Sequence, residues 1–131
     1  MATLFTKIIN GEIPCYKVAE NDDFFAFLDI FPVAKGHTLV IPKKEVDYIF
    51  DLDDSSYSGL QLFARKIAIA LKKAIPCKKV GEMVLGLDVP HAHIHLVPMQ
   101  SEADLLNFSK KISMNDEELR TTAQRIAHHL E

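Results

Sequence analysis

The longest regular pattern of apolar positions in the chain lies between residues 57 and 74 and predicts a helix. Apolar side chains recur there every three or four residues, at Tyr57, Leu60, Ala64, Ile67, Leu71 and Ala74. On a helix this spacing forms one apolar stripe, which packs in a protein core or an interface. The segment 53–56 (Asp-Asp-Ser-Ser) offers side chains that cap helix N-termini, and Pro76 stops the helix.

Two shorter helical patterns lie nearer the ends of the chain. Residues 4–9 predict a short helix that stops at Asn10-Gly11, because glycine takes the left-handed conformation that ends many helices. Asn115 and Glu118 have the spacing of a capping box. They precede another apolar stripe, which predicts a helix near the C-terminus and consists of Leu119, Ala123, Ile126 and Leu130.

Short apolar runs bounded by turn residues predict five strands. The runs lie at 15–19, 24–30, 37–41, 80–85 and 91–97. Short turns join strands that are neighbours in the sequence, so we expect an antiparallel sheet in which the last two strands pair. Helices segregated among such strands indicate an α+β fold. No repeat or flexible linker divides the chain, and we predict one domain over residues 1–131.

Composition and charge limit the classes of function that the chain can have. The hydrophobic content of 48% and the charged content of 25% are typical of a folded globular protein. A net charge of −3 gives no general attraction to nucleic acid or to an anionic membrane. Apolar runs are too short to span a bilayer, and the N-terminus lacks an apolar signal region, so we expect a cytoplasmic protein with no nucleic-acid or membrane partner. Four lysine pairs are expected on the solvated surface: Lys43-Lys44, Lys72-Lys73, Lys78-Lys79 and Lys110-Lys111.

The most informative motif lies at residues 90–98, which read Pro-His-Ala-His-Ile-His-Leu-Val-Pro. Side chains alternate between the two faces of a strand, so His91, His93 and His95 would form one row with about 6.6–6.8 Å between neighbours. The residues between them would pack on the opposite face: Ala92, Ile94 and Leu96. A helix would scatter the three imidazoles, and the two prolines leave too few residues for one.

Three interpretations of this histidine row stay open from the residues alone. Neutral imidazole is a nucleophile, so the middle residue His93 could attack an electrophilic phosphorus while His91 and His95 donate hydrogen bonds. Alternating histidines could also bind zinc, although the sequence offers no convincing further ligands. In the third interpretation the histidines only form hydrogen bonds inside a packed sheet.

The motif is part of a larger pattern that resembles the histidine triad (HIT) family. The similarity extends over residues 4–99 and includes the segments 5–14 (Phe-Thr-Lys-Ile-Ile-Asn-Gly-Glu-Ile-Pro), 27–32 (Phe-Leu-Asp-Ile-Phe-Pro) and 36–43 (Gly-His-Thr-Leu-Val-Ile-Pro-Lys). The chain looks most similar to the Hint branch, which contains nucleoside phosphoramidate and nucleotide hydrolases. The nucleotidyltransferase branch carries Gln at the position of His95, so the resemblance favours hydrolysis. It implies a HIT-like fold with a five-stranded antiparallel sheet, one long helix and shorter terminal helices.

The resemblance also implies a role for each residue of a nucleotide site. His93 would be the nucleophile at the α-phosphate of a purine nucleotide conjugate, flanked by His91 and His95 and supported by His37. Asp29 would bind the ribose hydroxyls with its two acceptor oxygens. The other substrate-binding positions are Leu4, Phe5, Ile8, Phe27 and Ile30 around the nucleobase, with Asp88 and Val89 beside the triad. The resemblance further implies a homodimer, and we expect no metal or other cofactor.

The chain departs from the family pattern at two places. Relatives usually carry Gly-Gln-x-Val or Gly-Gln-Ser-Val at residues 86–89 and an Asn-Gly loop before this stretch. This chain has Gly-Leu-Asp-Val, and the segment 78–86 is shorter and has no Asn, so two polar contacts to the phosphate or leaving group are expected to be lost. Such a loss slows catalysis without abolishing it. Some relatives hold structural zinc near the N-terminus, and the matching positions here are Thr3, Thr6 and Glu45. We therefore expect a nucleotide hydrolase without that zinc site, and the alternative is a nucleotide-binding or sensing module with weak or no catalysis.

Overall fold

Residues 2–130 are described by a computed structural model, in which they form five strands and four α-helices. The strands are β1 (Lys17–Glu20), β2 (Phe24–Leu28), β3 (Thr38–Pro42), β4 (Lys79–Met83) and β5 (Ile94–Met99). The helices are α1 (Leu4–Ile9), α2 (Asp54–Ala74), α3 (Ala103–Leu106) and α4 (Asp116–His128), with a 3₁₀ turn at Ile49–Asp51. The predicted α+β fold with five strands and one long helix is confirmed.

The five strands form one antiparallel sheet in the order β1-β2-β3-β5-β4. Strands β4 and β5 pair with each other, as predicted. Strands β3 and β5 join the two halves of the sheet, with Leu39 opposite His95. This pairing brings His37, which immediately precedes β3, beside the histidine motif, although 58 positions separate His37 from His95.

Apolar side chains cover both faces of the central strands. The main core lies between one face and the helices α2 and α4, and it contains three residues of the histidine motif, as predicted: Ala92, Ile94 and Leu96. A smaller cluster on the other face consists of Phe5 from α1 and four sheet residues, Phe25, Phe27, Leu39 and Ile41. Because β2 and β3 are buried on both faces, their sequences are continuous apolar runs rather than alternating ones.

Helix α2 follows its sequence pattern closely. The Asp53 side chain caps its N-terminus by accepting a hydrogen bond from a backbone N–H three residues later, at 2.7 Å. The apolar stripe is completely buried at Leu60, Ile67 and Leu71. At the other end, Arg125 of α4 donates a hydrogen bond to the carbonyl oxygen of Ala74 at 2.7 Å, which joins the two helices. Neither α2 nor any other helix within residues 2–130 has the length and apolar character needed to cross a membrane.

Both terminal helices begin at a capping side chain, of which the sequence pattern predicted the one at α4. The Thr3 hydroxyl oxygen accepts a hydrogen bond from the backbone N–H of Thr6 at 3.0 Å and caps α1. Gly11 follows that helix with a positive φ of 80°, which suits glycine. Asn115 and Glu118 form the capping box at the start of α4.

The strand bounds differ from those predicted, most importantly at the histidine motif. Strand β5 begins at Ile94, so His91 and His93 precede the ladder. Pro42 of β3 has no backbone N–H to continue that ladder, and its carbonyl oxygen instead accepts a hydrogen bond from Nε2 of His91 at 2.7 Å. The prediction that all three histidines lie within one strand is therefore wrong, because only His95 belongs to β5. The His93 and His95 rings remain adjacent, with centroids 4.9 Å apart.

The connection between β2 and β3 holds three of the predicted site residues outside regular strands. Strand β2 ends before Asp29 and Ile30, and β3 begins after His37. The backbone N–H of Asp29 donates to the carbonyl oxygen of His37 at 3.0 Å, so the two residues stay opposite each other. Gly36 has a φ of 92°, and an added side chain would lie 2.9 Å from Leu71, so glycine is required directly before His37.

Candidate functional site

A cleft of about 740 Å³ opens on the face of the sheet that carries α1. Ten of the twelve site residues predicted from the sequence line it: Leu4, Phe5, Ile8, Phe27, Asp29, Ile30, Asp88, Val89, His93 and His95. His91 and His37 do not line the cleft. Both are buried, and each forms a hydrogen bond to one of the two histidines that do.

The end of the cleft next to α1 is apolar. Phe5 packs edge-on against Phe27, with ring centroids 5.5 Å apart and 71° between the ring planes. Both rings are buried, whereas Leu4 and Ile30 at the rim are about half exposed. A concave surface of this kind suits a flat aromatic ligand.

Asp29 lies at the rim of the cleft, where β2 ends. Its Oδ1 accepts a hydrogen bond from the backbone N–H of Phe31 at 2.8 Å, which fixes the orientation of the carboxylate. Its Oδ2 lies 3.6 Å from Nε2 of His37, and 17% of the side chain is exposed. The carboxylate oxygens are acceptors, so a ligand with neighbouring hydroxyl groups can bind here.

His93 has one ring nitrogen free for chemistry. Its Nδ1–H donates to the backbone carbonyl oxygen of His91 at 2.7 Å, since a carbonyl oxygen can only accept. In the neutral ring the other nitrogen, Nε2, therefore carries the lone pair. The ring packs edge-on against Phe5, with centroids 5.0 Å apart, and forms part of the cleft wall. A neutral imidazole held in one orientation with Nε2 unprotonated is suited to nucleophilic attack.

His37 and His95 form a hydrogen-bonded chain whose direction is set by a backbone donor. The backbone N–H of Val33 donates to Nδ1 of His37 at 3.1 Å, so the neutral His37 ring carries its proton on Nε2. That Nε2–H donates to Nδ1 of His95 at 3.0 Å. His95 therefore carries its own proton on Nε2 and, because it lines the cleft, offers this donor to a bound ligand.

Burial keeps this histidine pair neutral. Loss of solvation lowers the pKa of His37 well below its ordinary value, although the nearby Asp29 carboxylate acts in the opposite direction. Loss of solvation also lowers the pKa of His95, and the charges of His93, His37 and Lys111 act in the same direction. Both rings are therefore neutral at pH 7, which is the state that the hydrogen-bonded chain requires.

The neutral pair makes stability depend on pH. In the unfolded chain, histidines bind protons below a pH of about 6.5, whereas the folded chain keeps His37 and His95 neutral to lower pH. We expect the free energy of unfolding to be highest above that pH and to fall by up to about 1.4 kcal/mol per pH unit for each of the two residues as pH decreases. Urea unfolding at a series of pH values measures this slope. His95→Gln should reduce the slope, and an unchanged slope would contradict the assignment.

Thr3, Thr6, Glu45 and His91 form one hydrogen-bond network. Burial lowers the pKa of His91, and its neutral ring donates from Nε2 to a backbone carbonyl, so its Nδ1 accepts from the Thr3 hydroxyl at 2.7 Å. Oε1 of Glu45 accepts from the Thr6 hydroxyl at 2.5 Å and from the backbone N–H of Thr3 at 2.9 Å. These two donors hold the pKa of the Glu45 carboxyl below its usual value. This Thr3–Glu45 network joins the start of α1 to the segment after β3 and to His91.

Removing the Thr3 hydroxyl is expected to lower the free energy of unfolding. Thr3→Val keeps the size of the side chain but removes the cap of α1 and the donor to His91, so we expect a loss of about 1–2 kcal/mol. Thr121→Val makes the same chemical change at an exposed position of α4 and is the matched control. Urea denaturation measures both variants. Equal losses at the two positions would show that the Thr3 contacts contribute nothing specific.

The histidines of the motif do not converge on a common metal position. His91 uses both ring nitrogens in hydrogen bonds, and Nδ1 of His93 is bonded to a carbonyl oxygen. Within residues 2–130, Asp29, His37 and His95 do offer three ligand atoms that lie within 4.8 Å of one another. Nε2 of His37, however, carries the proton that it donates to His95, so binding a metal there would displace this proton.

The sequence pattern predicts neither of two further residues that line the cleft. Phe108 follows α3 and packs edge-on against the rings of His95 and His37. Lys111 belongs to a lysine pair expected on the solvated surface, yet it lines the cleft while its side chain is exposed. No apolar period or motif marks this segment. The segment is identified as part of the site only in the structure, where the chain between β5 and α4 passes the His37–His95 pair.

Comparisons with known proteins identify the family of the chain. A model of the HIT domain family matches residues 10–102. An adenosine 5′-monophosphoramidase of Schizosaccharomyces pombe is 36% identical over 104 residues, which are 78% of this chain and 77% of that protein. An uncharacterized HIT-like protein of Mycoplasma pneumoniae is 40% identical over 100 residues, which are 72% of this chain and 69% of that protein. The crystal structure of a Hit-like protein from Bartonella henselae has a TM-score of 0.84 at 34% identity and covers 98% of this chain and 96% of its own. The chain therefore belongs to the HIT family.

Proposed function

We propose that the protein is a nucleotide hydrolase that cleaves a purine nucleotide conjugate at its α-phosphate through a covalent intermediate on His93. The observation that carries this proposal is the orientation of two histidine rings. His93 has the lone pair of Nε2 free, and His95 has its Nε2–H free, at the same wall of the cleft. A positioned nucleophile beside a hydrogen-bond donor is what phosphoryl transfer requires of a protein. The related S. pombe protein is an adenosine 5′-monophosphoramidase, which supports phosphoramidates as a substrate class.

The proposed reaction has two steps. Nε2 of His93 attacks the α-phosphorus, so that a nitrogen–phosphorus bond forms while the bond to the leaving group breaks. The leaving group takes the bonding electron pair, and a departing amine also takes a proton from the solvent. The Nε2–H of His95 stabilises the charge that develops beside it. Water then attacks the phosphorus, frees His93, releases a proton and gives the nucleoside monophosphate.

The two ends of the cleft fit two parts of such a substrate. The rings of Phe5 and Phe27 offer an apolar surface to the purine. The Asp29 carboxylate at the rim accepts hydrogen bonds from the ribose hydroxyls. With the base and ribose bound there, the α-phosphate reaches the wall that His93 and His95 form.

A second candidate function is nucleotide binding or sensing with weak or no catalysis. The observation in its favour is the loop before the histidine motif, where Leu87 is 95% exposed and Asp88 lines the cleft. The Asp88 carboxylate would repel a phosphate beside it, and neither the Leu87 nor the Asp88 side chain offers a hydrogen-bond donor to that phosphate. Calorimetry that finds tight AMP binding in a chain without measurable turnover would favour this function.

We also propose that two copies of the chain form a homodimer through strand β4. This strand is the last in the sheet, and its outer edge has no partner within residues 2–130. Leu62 and Ile69 on α2 are half exposed, and Leu62 lines a groove between α2 and β4. An open strand edge beside exposed apolar side chains is typical of an interface. Analytical ultracentrifugation should give twice the mass of one chain, Leu62→Glu should give one chain, and a monomeric wild type would contradict the proposal.

The hydrolase proposal is tested with adenosine 5′-phosphoramidate as substrate. We expect release of AMP, and intact mass spectra of protein denatured during turnover should contain a species heavier by one adenylyl group. In ¹⁸O-enriched water, the released AMP should carry one labelled oxygen, because water attacks the phosphorus of the covalent intermediate in the second step. Absence of both AMP release and the adduct, with purine and pyrimidine conjugates alike, would refute the proposed function.

A further inference from the structure

The segment between α3 and α4 packs against the histidine pair. Phe108 lies edge-on to His95 and His37, with 4.8 and 5.5 Å between the ring centroids. The backbone N–H of Ile112 donates to the carbonyl oxygen of Pro32 at 2.8 Å, which ties the segment to the connection between β2 and β3. These contacts fix where the side chains of this segment meet the cleft.

Among the described residues that line the cleft, Lys111 is the one lysine or arginine. Its Nζ lies 4.1 Å from the centroid of the Phe108 ring, in a cation–π contact. Its charge also lowers the pKa of His37 and of His95. The ammonium group is therefore close enough to act electrostatically on whatever binds beside His95.

Two aromatic rings mark opposite ends of the pair formed by His93 and His95. Phe5 packs on His93 and belongs to the apolar end of the cleft next to α1. Phe108 packs on His95, and the Lys111 ammonium group lies over the Phe108 ring. In phosphoryl transfer the leaving group departs on the side opposite to the nucleophile. Lys111 therefore lies beside His95, at the end of the pair away from Phe5, where it can meet a leaving group that departs from the side opposite to His93.

We propose that Lys111 binds an anionic leaving group, so that the preferred substrates join the nucleoside monophosphate to a second phosphate rather than to an uncharged amine. This inference rests on the proposed function and specifies its leaving group. The bond between the α-phosphorus and the bridging oxygen breaks, and that oxygen leaves with the electron pair on the departing phosphate. Lys111 keeps its proton and contributes charge-assisted hydrogen bonds.

The loop before the histidine motif makes this assignment specific to Lys111. Residues 86–89 are Gly-Leu-Asp-Val, so their side chains bring no cation to the phosphates, and Asp88 adds a negative charge. Because no other Lys or Arg is among the described residues that line the cleft, the side chain that can neutralise the charge of a departing phosphate is Lys111. Exposed ammonium groups contribute modestly to binding, so we expect an effect of about five- to tenfold.

The test compares two substrates that share the adenylyl group, diadenosine triphosphate and adenosine 5′-phosphoramidate. We expect Lys111→Gln to lower the ratio of their kcat/KM values about five- to tenfold relative to the wild type. Lys110→Gln removes the same charge from the neighbouring residue, which does not line the cleft, and should leave the ratio unchanged. An unchanged ratio in Lys111→Gln, or an equal fall in both variants, would overturn the inference.

A binding measurement separates this inference from the proposed function. Calorimetry on the full His93→Ala chain, with and without Lys111→Gln, gives the Kd of diadenosine triphosphate relative to that of AMP. We expect the preference for the triphosphate to fall about five- to tenfold when Lys111 is replaced. A preference that is equal in both chains contradicts the role of Lys111. Failure of the wild type to hydrolyse either conjugate contradicts the proposed function, and the ratio of Kd values still decides the role of Lys111.

Discussion

Replacement of His93 by alanine is expected to lower kcat/KM for adenosine 5′-phosphoramidate on the order of 10⁴-fold or more, and to remove the adenylylated protein species. The neighbouring histidines cannot take over the attack. His91 uses both ring nitrogens in hydrogen bonds, and His95 carries a proton on the nitrogen that faces the cleft. Without the His93 ring, neither neighbour presents a lone pair to the α-phosphorus.

Two controls make this result specific to the chemical step. His128→Ala removes an exposed imidazole from α4 and should leave turnover unchanged. His93→Ala itself should still bind AMP, because the apolar end of the cleft and Asp29 are untouched. Steady-state kinetics measures turnover, intact mass spectrometry detects the adenylylated protein, and calorimetry measures AMP binding. Substantial turnover by His93→Ala would show that another group is the nucleophile.

The second large effect is expected for His95→Phe, which should lower kcat about 10²- to 10³-fold with a smaller change in KM. Phenylalanine keeps a flat ring next to Phe108 but lacks the Nε2–H that faces the cleft. It also leaves the Nε2–H of His37 without its acceptor. The lost hydrogen bond strengthens as charge develops in the transition state, so kcat is affected more than KM.

His95→Gln provides the comparison that isolates hydrogen bonding from ring packing. The Gln side chain has an amide N–H to donate and an oxygen to accept from His37, so we expect part of the activity lost in His95→Phe to return. Adding His37→Phe to His95→Phe should cost little more, because both substitutions break the same chain. Equal activity of the Gln and Phe variants, or fully additive losses in the double variant, would contradict a hydrogen-bonding role.

The helices could be predicted from the sequence because their signals are local. The stripe and the cap of α2, and the capping box of α4, depend on residues at most a few positions apart. The start of β5 could not be predicted in this way. It depends on Pro42, which lies 49 positions before His91. Pro42 has no backbone N–H for the sheet ladder, and its carbonyl oxygen accepts a hydrogen bond from the His91 ring.

Most residues of the candidate site could also be predicted, but their hydrogen bonds could not. Ten predicted residues line one cleft because the segments that resemble the HIT family fold together. The bond between His37 and His95, which sets their protonated nitrogens, forms only when β3 pairs with β5. Phe108 and Lys111 reach the cleft through tertiary packing of a segment without a periodic pattern.

The Thr3–Glu45 network determines which chemical groups hold α1 and His93 in place beside the cleft. Hydroxyl and carboxylate groups hold the start of α1, whereas thiolates in such a position would be open to oxidation and a zinc ion to removal by chelators. His91 belongs to this network, and its carbonyl oxygen orients His93. The anchoring of the helix beside the cleft and the orientation of the proposed nucleophile thus both depend on hydrogen bonds among hydroxyl, carboxylate, imidazole and backbone groups.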